Sequence, residues 1–312
     1  MATAKFQQQI FNDEIAARKA LEAVRWPNGP TCPHCGSVEG IVALTTKSAR
    51  PGLKYCNACK GQFTATVGTV FERSKIPLTK WWLASHLMGS SKKGFSAHQM
   101  HRTLGVTYKT AWFMAMRIRE AMKDMGMEPM GGEGPHIEAD ETYIGNKHGV
   151  KKARSTHHKH AVFTVLERGG RARSFHIDKV TATELAKVMA KHANPASTLN
   201  TDEALRYRKM GKKFAKHQVV NHGKGQYGAG DHTTNSVEGF FSIFKRGMKG
   251  VYQHCSEDHL HRYLSEFDFR YSNRSALGIE DTERTQRLMK GIEGKRLTYR
   301  RTDKASEENS LG

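Results

Sequence analysis

The chain has 312 residues, 38% of them hydrophobic, with 50 Lys+Arg against 30 Asp+Glu and a formal charge of +20 at pH 7. That length allows about two domains with real cores, and the charge attracts polyanions such as nucleic acid. No run approaches the roughly 18 apolar residues of a membrane helix, and the opening MATAKFQQQIFNDEIAARK lacks the apolar segment of a signal peptide, so a cytoplasmic protein with reduced thiols and no membrane partner is expected.

Residues 12–25 predict a helix, with Asn12 or Asp13 as cap and Ile15, Leu21 and Val24 on its apolar side. Trp26-Pro27-Asn28-Gly29-Pro30 ends it. Two CxxC pairs follow, Cys32/Cys35 and Cys56/Cys59, separated by 20 residues. Each CxxC turn supplies two soft ligands, and the intervening chain returns for the next two, which suits a tetrahedral structural Zn²⁺. Disulfides or a redox CxxC fit this turn-rich context less well, and Cys255 stands apart as an ordinary thiol. Between the pairs IVALTT reads as a strand. Phe63 and the β-branched run TATVGTVF suit a closing strand.

Leu78, Trp81, Trp82, Leu83 and Leu87 predict a helix. A short helix from Ser96 to Leu104, a turn at Gly105-Val106 and a long helix from Thr107 then resemble a helix-turn-helix. Its second helix would offer Thr107, Tyr108 and Lys109 to DNA, with Arg117 further along; a plain helical hairpin packing on Trp112, Met116 and Ile118 is the alternative.

Beyond a Gly- and Pro-containing linker the pattern turns to strands: HIEADETYIG, HAVFTVLE, a Gly169-Gly170 hairpin turn and RARSFHI. Thr181 and Glu184 form a capping-box pattern that opens a helix with Leu185, Val188 and Met189 inward. STLNTD and HQVVNH are the fourth and fifth strands. A glycine loop, GKGQYGAGDH, precedes a helix from about Thr234 to Met248, and another spans about Ser256 to Tyr271. The loop lacks the GK[ST] of a nucleotide-binding P-loop, and the last 19 residues read as a polar, disordered tail.

Three acids stand out by position. Asp140 lies in the first of these strands, Asp202 ends the fourth, and Glu238 lies on the helix after the glycine loop. Acids at the carboxyl edge of an open sheet and on a covering helix can converge to hold Mg²⁺ or Mn²⁺ for phosphoryl transfer. Glu138 and Glu141 could stand in for Asp140, Glu203 adjoins Asp202, and Glu238 also fits a capping box opened by Asn235. The basic runs KKARSTHHKH, with Lys151 and Lys152, RYRKMGKKFAKH, with Lys212 and Lys213, and KRGMK, with Lys245 and Arg246, are either phosphate contacts or solvated faces. Their histidines show no ligand spacing of a second zinc site.

The stretches CPHCG…CNACKGQFTATVGTVFERSKIPLTKWW, EADETYIGNK, LNTDEALRY and HTTNSVEGFFSIFKRGMKGVYQHCSEDHLHRYLSEFDFRYSNR resemble the bacterial insertion-sequence transposases of the DDE class that carry an N-terminal zinc ribbon. The resemblance runs from Cys32 to about Arg274. It implies an α/β multidomain protein: helix and ribbon over 1–74, a helix-turn-helix-like region over 75–126, a linker over 127–135, a ribonuclease-H-like mixed five-stranded sheet with flanking helices over 136–275, and a C-terminal helix and flexible tail over 276–312. It implies Asp140, Asp202 and Glu238 as catalytic metal ligands and Lys245, seven positions on from Glu238 and on the same helix face, as a residue that steers a phosphate. Asn235 is a secondary candidate and His232 a weaker one. The activity implied is strand cleavage at element ends followed by strand transfer into target DNA, with a homodimer or larger assembly on double-stranded DNA. A catalytically silent DNA-binding regulator and another ribonuclease-H-like nuclease are the alternatives; a structural RNA-binding protein is a more distant one.

Overall fold

In the computed structural model, residues 8–124, 128–220 and 233–298 are described. The chain divides into two units: Met1–Gly89, Ala97–Met122 and Thr282–Gly312 form one, and Ser90–Ser96 with Lys123–Asp281 form the other. The glycine loop and His232 lie outside the described residues, as does most of the C-terminal tail. Among the described residues no helix is long and apolar enough to cross a membrane.

The first unit opens with α1 (Glu14–Arg25), capped by Asp13, whose Oδ1 accepts from the Ile15 N–H at 2.8 Å. Three short antiparallel strands follow in the order β1 (Ile41–Ala43), β2 (Lys54–Cys56) and β3 (Gln62–Phe63). The expected closing strand does not continue through TATVGTVF. Hydroxyls there serve their own backbone, with Thr69 Oγ1 donating to Thr66 O at 2.7 Å and accepting from Phe71 N at 3.1 Å, while Gly68 takes a left-handed φ of +73°. Local hydrogen bonding outcompetes the β propensity of the run.

Next come α2 (Leu78–Ser90), α3 (Ala97–Leu104) and α4 (Tyr108–Met122). Glu14 caps α2 by accepting from the Leu78 and Thr79 N–H groups at 2.9 and 3.2 Å, and the buried Trp82 donates Nε1 to Ala17 O at 2.9 Å. Gly105, at φ +59°, turns the chain between α3 and α4.

The second unit is built on β4 (His136–Ile144), β5 (His160–Glu167), β6 (Ala172–Ile177), α5 (Ala182–His192), β7 (Thr198–Asp202), α6 (Arg208–Gly211), β8 (Lys216–Val220), α7 (Asn235–Gly247) and α8 (Glu257–Ser272). The last helix among the described residues, α9 (Asp281–Lys290), belongs largely to the first unit. The sheet order is β6-β5-β4-β7-β8, antiparallel through β4, β5 and β6 and parallel from β4 to β7 and β8.

Alternation sets the two faces of this sheet. Ile137, Ala139, Phe163, Val165 and Leu199 form one core with Leu185 and Met189 of α5. The expected cap of α5 is present, with Glu184 N donating to Thr181 Oγ1 at 3.3 Å. The other face is covered by α7 and α8, which interlock through Phe240 on Tyr271 and Phe244 on Phe267 at ring separations of 5.4 and 5.1 Å.

That second face carries a buried charge. Glu138 has no exposed surface; its Oε1 accepts from Arg168 Nε at 3.0 Å and its Oε2 from the Val237 N–H of α7 at 2.9 Å. Arg168 Nη2 and Asn200 Nδ2 both donate to Thr233 O, at 3.0 and 3.1 Å. Two strands thus grip the first turn of α7. Removing one partner of a buried pair strands the other, so Glu138→Ala is expected to cost about 3–5 kcal/mol and Glu138→Gln less. Urea melts followed by circular dichroism check this; an unchanged midpoint for Glu138→Ala would contradict the clasp.

Candidate metal centres and acidic site

The four cysteine sulfurs lie within 4.8 Å of one another. Cys32–Cys59 and Cys35–Cys56 are each 3.7 Å apart. A tetrahedron with Zn–S bonds of about 2.3 Å has edges of about 3.8 Å, whereas a disulfide would need about 2 Å. The geometry therefore fits a zinc ion. The thiols also resist ionising together. Desolvation opposes ionisation of Cys32, but the backbone N–H groups of His34 and Cys35 overcome it and bring the thiol down to about 7. At Cys59 the Gly61 N–H pulls the other way but is outweighed by desolvation and the three neighbouring thiols, which push it up to about 12. A cation that compensates four thiolates relieves this.

The parallel strands carry two of the acids. Glu138 pairs with Asn200 in the last paired rung of β4 and β7; Asp140 and Asp202 each lie two residues beyond that rung, where strand alternation returns them to the face of Glu138, and the charge of Asp202 acts on Asp140. Glu238 lies in the first turn of α7, the helix clasped by Glu138 on that face. Asp140 is half-buried, and its pKa is raised to about 7, chiefly by desolvation, then by the charge of Glu141, and further by Asp202 and Glu238. Among the described residues the three carboxylates do not form a cluster with ligand atoms all within 4.8 Å. They share a neighbourhood rather than a closed cage.

The neighbouring acids have other employment. Glu138 is spent on the clasp. Glu141 is ion-paired with Arg206 and accepts from the Tyr207 hydroxyl. Asp140 accepts from the Glu141 N–H at 2.8 Å, and Asp202 from the Ala204 N–H at 3.1 Å. The expected capping box of Asn235 with Glu238 is not formed. Thr234 is the cap residue, its hydroxyl donates to Glu238 Oε1 at 2.8 Å, and Asn235 is exposed with its N–H on Thr233 Oγ1 at 3.0 Å. Helical rise places Lys245, half-buried, about 10 Å along α7 from Glu238 on the same face.

Thr107, Tyr108 and Lys109 are exposed at the start of α4, and Tyr108 stacks on His98 at 4.3 Å. Arg117 is different: it is buried and donates to the carbonyls of Leu297 and Glu72 at 3.2 and 3.1 Å, so it packs the unit instead of facing DNA as expected. The helical spacing that placed it after Lys109 carried no information about which face would be covered. Lys151, Lys152, Lys212, Lys213 and Arg246 are exposed. The Glu138–Arg168–Asn200 clasp was not foreseen; an acid and a polar residue within otherwise apolar strand stretches were its available signal.

A zinc ribbon in one unit and, in the other, a mixed five-stranded sheet bearing acids at its parallel junction define a ribbon-bearing protein of ribonuclease-H-like architecture. Residues 12–62 match the transposase zinc-ribbon domain and residues 131–272 the ISXO2-like transposase domain. An uncharacterized protein in the transposable element ISH50 of Halobacterium salinarum is 28% identical over 283 residues, covering 84% of this chain and 92% of that protein. The chain belongs to the IS1595 family of transposases with an N-terminal zinc ribbon.

Two outcomes follow from the geometry. Cys56→Ser should release the ribbon's metal and change the emission of Trp26, whose ring meets Phe63 edge-on at 5.8 Å; zinc analysis and fluorescence test it, and an intact emission spectrum in metal-depleted protein would count against it. The second concerns pH. An acid whose folded pKa is raised destabilises the fold as pH climbs from about 4 through 7, because the native state resists losing the proton. Without added divalent ions, Asp140→Asn should be more stable than the parent by roughly 2–4 kcal/mol at pH 8 and equal to it at pH 4, read from urea unfolding.

Proposed function

We propose that this transposase binds the ends of its insertion sequence, cleaves a strand there and joins the freed 3′-hydroxyl to target DNA. The observation that supports this most is the crowding of carboxylates at Asp140, whose pKa burial raises first, then the charge of Glu141, and further those of Asp202 and Glu238. Carboxylates arranged at such cost suit a divalent cation, and Asp140, Asp202 and Glu238 would hold Mg²⁺ or Mn²⁺. When bound, the ions supply an activated water or hydroxyl and charge stabilisation for in-line displacement at phosphorus.

The chain's own residues set the stage for that chemistry. Asp140 and Asp202 lie two residues past the last paired rung of adjacent parallel strands, and the Glu138 clasp fixes the start of the helix that carries Glu238. Thr234 orients the Glu238 carboxylate through its hydroxyl. Lys245 would attract a phosphate, with Asn235 at the helix start as a secondary polar contact. Lys151, Lys152, Lys212, Lys213 and Arg246 would neutralise backbone phosphates, in keeping with the +20 charge. Thr107, Tyr108 and Lys109 would meet the DNA at the head of α4, in the manner of a recognition helix. Joining two ends calls for at least a dimer on DNA.

Asp140→Ala, Asp202→Ala and Glu238→Ala are each expected to lower both plasmid nicking and strand transfer by about 1,000-fold or more while leaving end binding intact. Assays on oligonucleotides carrying the DNA that flanks the coding region measure all three properties. Full strand transfer by any of these variants would refute its assignment, and cleavage without joining in the parent protein would point to a different nuclease.

A further inference from the structure

His160 opens β5 and His176 lies near the end of β6. The hairpin pairs Val162 with His176 and Ala161 with Ile177, which sets the two imidazoles diagonally on the same face. Glu257, in the first turn of α8, reaches over them. Its Oε1 is 3.7 Å from His160 Nδ1 and 3.7 Å from His176 Nε2.

At 3.7 Å neither contact is a hydrogen bond. Both nitrogens are buried and neither has a hydrogen-bond partner. Leaving two buried ring nitrogens unsatisfied is costly, and both are aimed at one oxygen. All three ligand atoms lie within 4.8 Å of one another. A tetrahedral ion with bonds of about 2.1 Å has ligand–ligand edges of about 3.4 Å, so the two 3.7 Å edges need close by only a few tenths of an ångström, and small ring rotations bring the third toward the same value.

We propose that His160 Nδ1, His176 Nε2 and the Glu257 carboxylate bind one divalent transition-metal ion, Zn²⁺ by its ligand chemistry, with a fourth position left to solvent. Imidazole donors favour Zn²⁺ over Mg²⁺, which takes oxygen. Burial lowers the His176 pKa, against the pull of Glu257, and so keeps a lone pair available. The site is separate from the acids: His160 is four residues along β5 from Thr164, the partner of Asp140, or about 13 Å. The ion ties the first turn of α8 to the β5–β6 hairpin. One turn before its end, α8 is tied to β6 again, where Asp268 accepts from the Ser174 N–H at 2.8 Å.

The test is native mass spectrometry of the untagged full-length protein at saturating Zn²⁺, with variants His176→Gln and Glu257→Ala. Two zinc ions per parent chain and one per variant chain are expected. Glu257 is half-exposed, so its variant is expected to fold, and circular dichroism verifies this for both. With Co²⁺ in place of zinc, His176→Gln should lose only the weaker d–d component of the nitrogen- and oxygen-ligated site, while the ribbon's own thiolate charge-transfer and d–d bands persist. One ion per parent chain, or a second ion retained by either folded variant, overturns the proposal. The readout is independent of DNA cleavage, so its outcome stands apart from the transposition reading.

Discussion

Glu138 sits without solvent contact between Arg168 and the Val237 backbone, and this clasp determines where α7 begins. A buried carboxylate in a sheet is tolerable only if its charge is paired and its lone pairs are used. Arg168 supplies the charge and the helix N-terminus supplies an N–H, a donor that nothing within the helix could satisfy. The position of Glu238 depends on that arrangement. So does the cap at Thr234, since Arg168 and Asn200 together hold the carbonyl of Thr233 just before it.

The acids of this face divide into those that are satisfied and those that are not. Glu138 and Glu141 have basic partners, while Asp140 accepts a single backbone N–H and is pushed toward the neutral form by burial and by its neighbours. Repulsion of this kind works against the fold. A strongly basic chain that nonetheless concentrates negative charge at one sheet junction has separated two tasks. Its distributed cations suit a phosphate backbone, and its local carboxylates have the chemistry of hard-cation ligands.

The zinc ribbon applies the same physics on a smaller scale. Its three strands are two or three residues long, too short to hold themselves together. Sulfur–sulfur spacing matched to a zinc tetrahedron supplies the closure that the strands lack. Around it, Trp26 and Phe63 provide the little apolar packing available, with Arg25 and Lys54 over the indole face.

Periodicity and spacing were enough to read the strand and helix order, the cysteine framework, the Gly105 turn and the Thr181 cap, because each is decided within a few residues by local chemistry. Position on strand and helix singled out Asp140, Asp202 and Glu238, and the resemblance gave them their roles; in the fold the charges of Asp202 and Glu238 act on Asp140. Other features were invisible to local pattern. TATVGTVF reads as a strand until its hydroxyls find their own backbone. Arg117 has the look of a surface base but lies under cover. Asn235 fits a cap that Thr234 occupies. The Glu138 clasp and the meeting of His160, His176 and Glu257 join segments tens of residues apart. Sequence by itself determined what each segment prefers and which donor chemistry it carries. Tertiary structure alone decided which side chains are desolvated together, since burial and charge–charge distance are properties of the packed chain and not of any stretch of it.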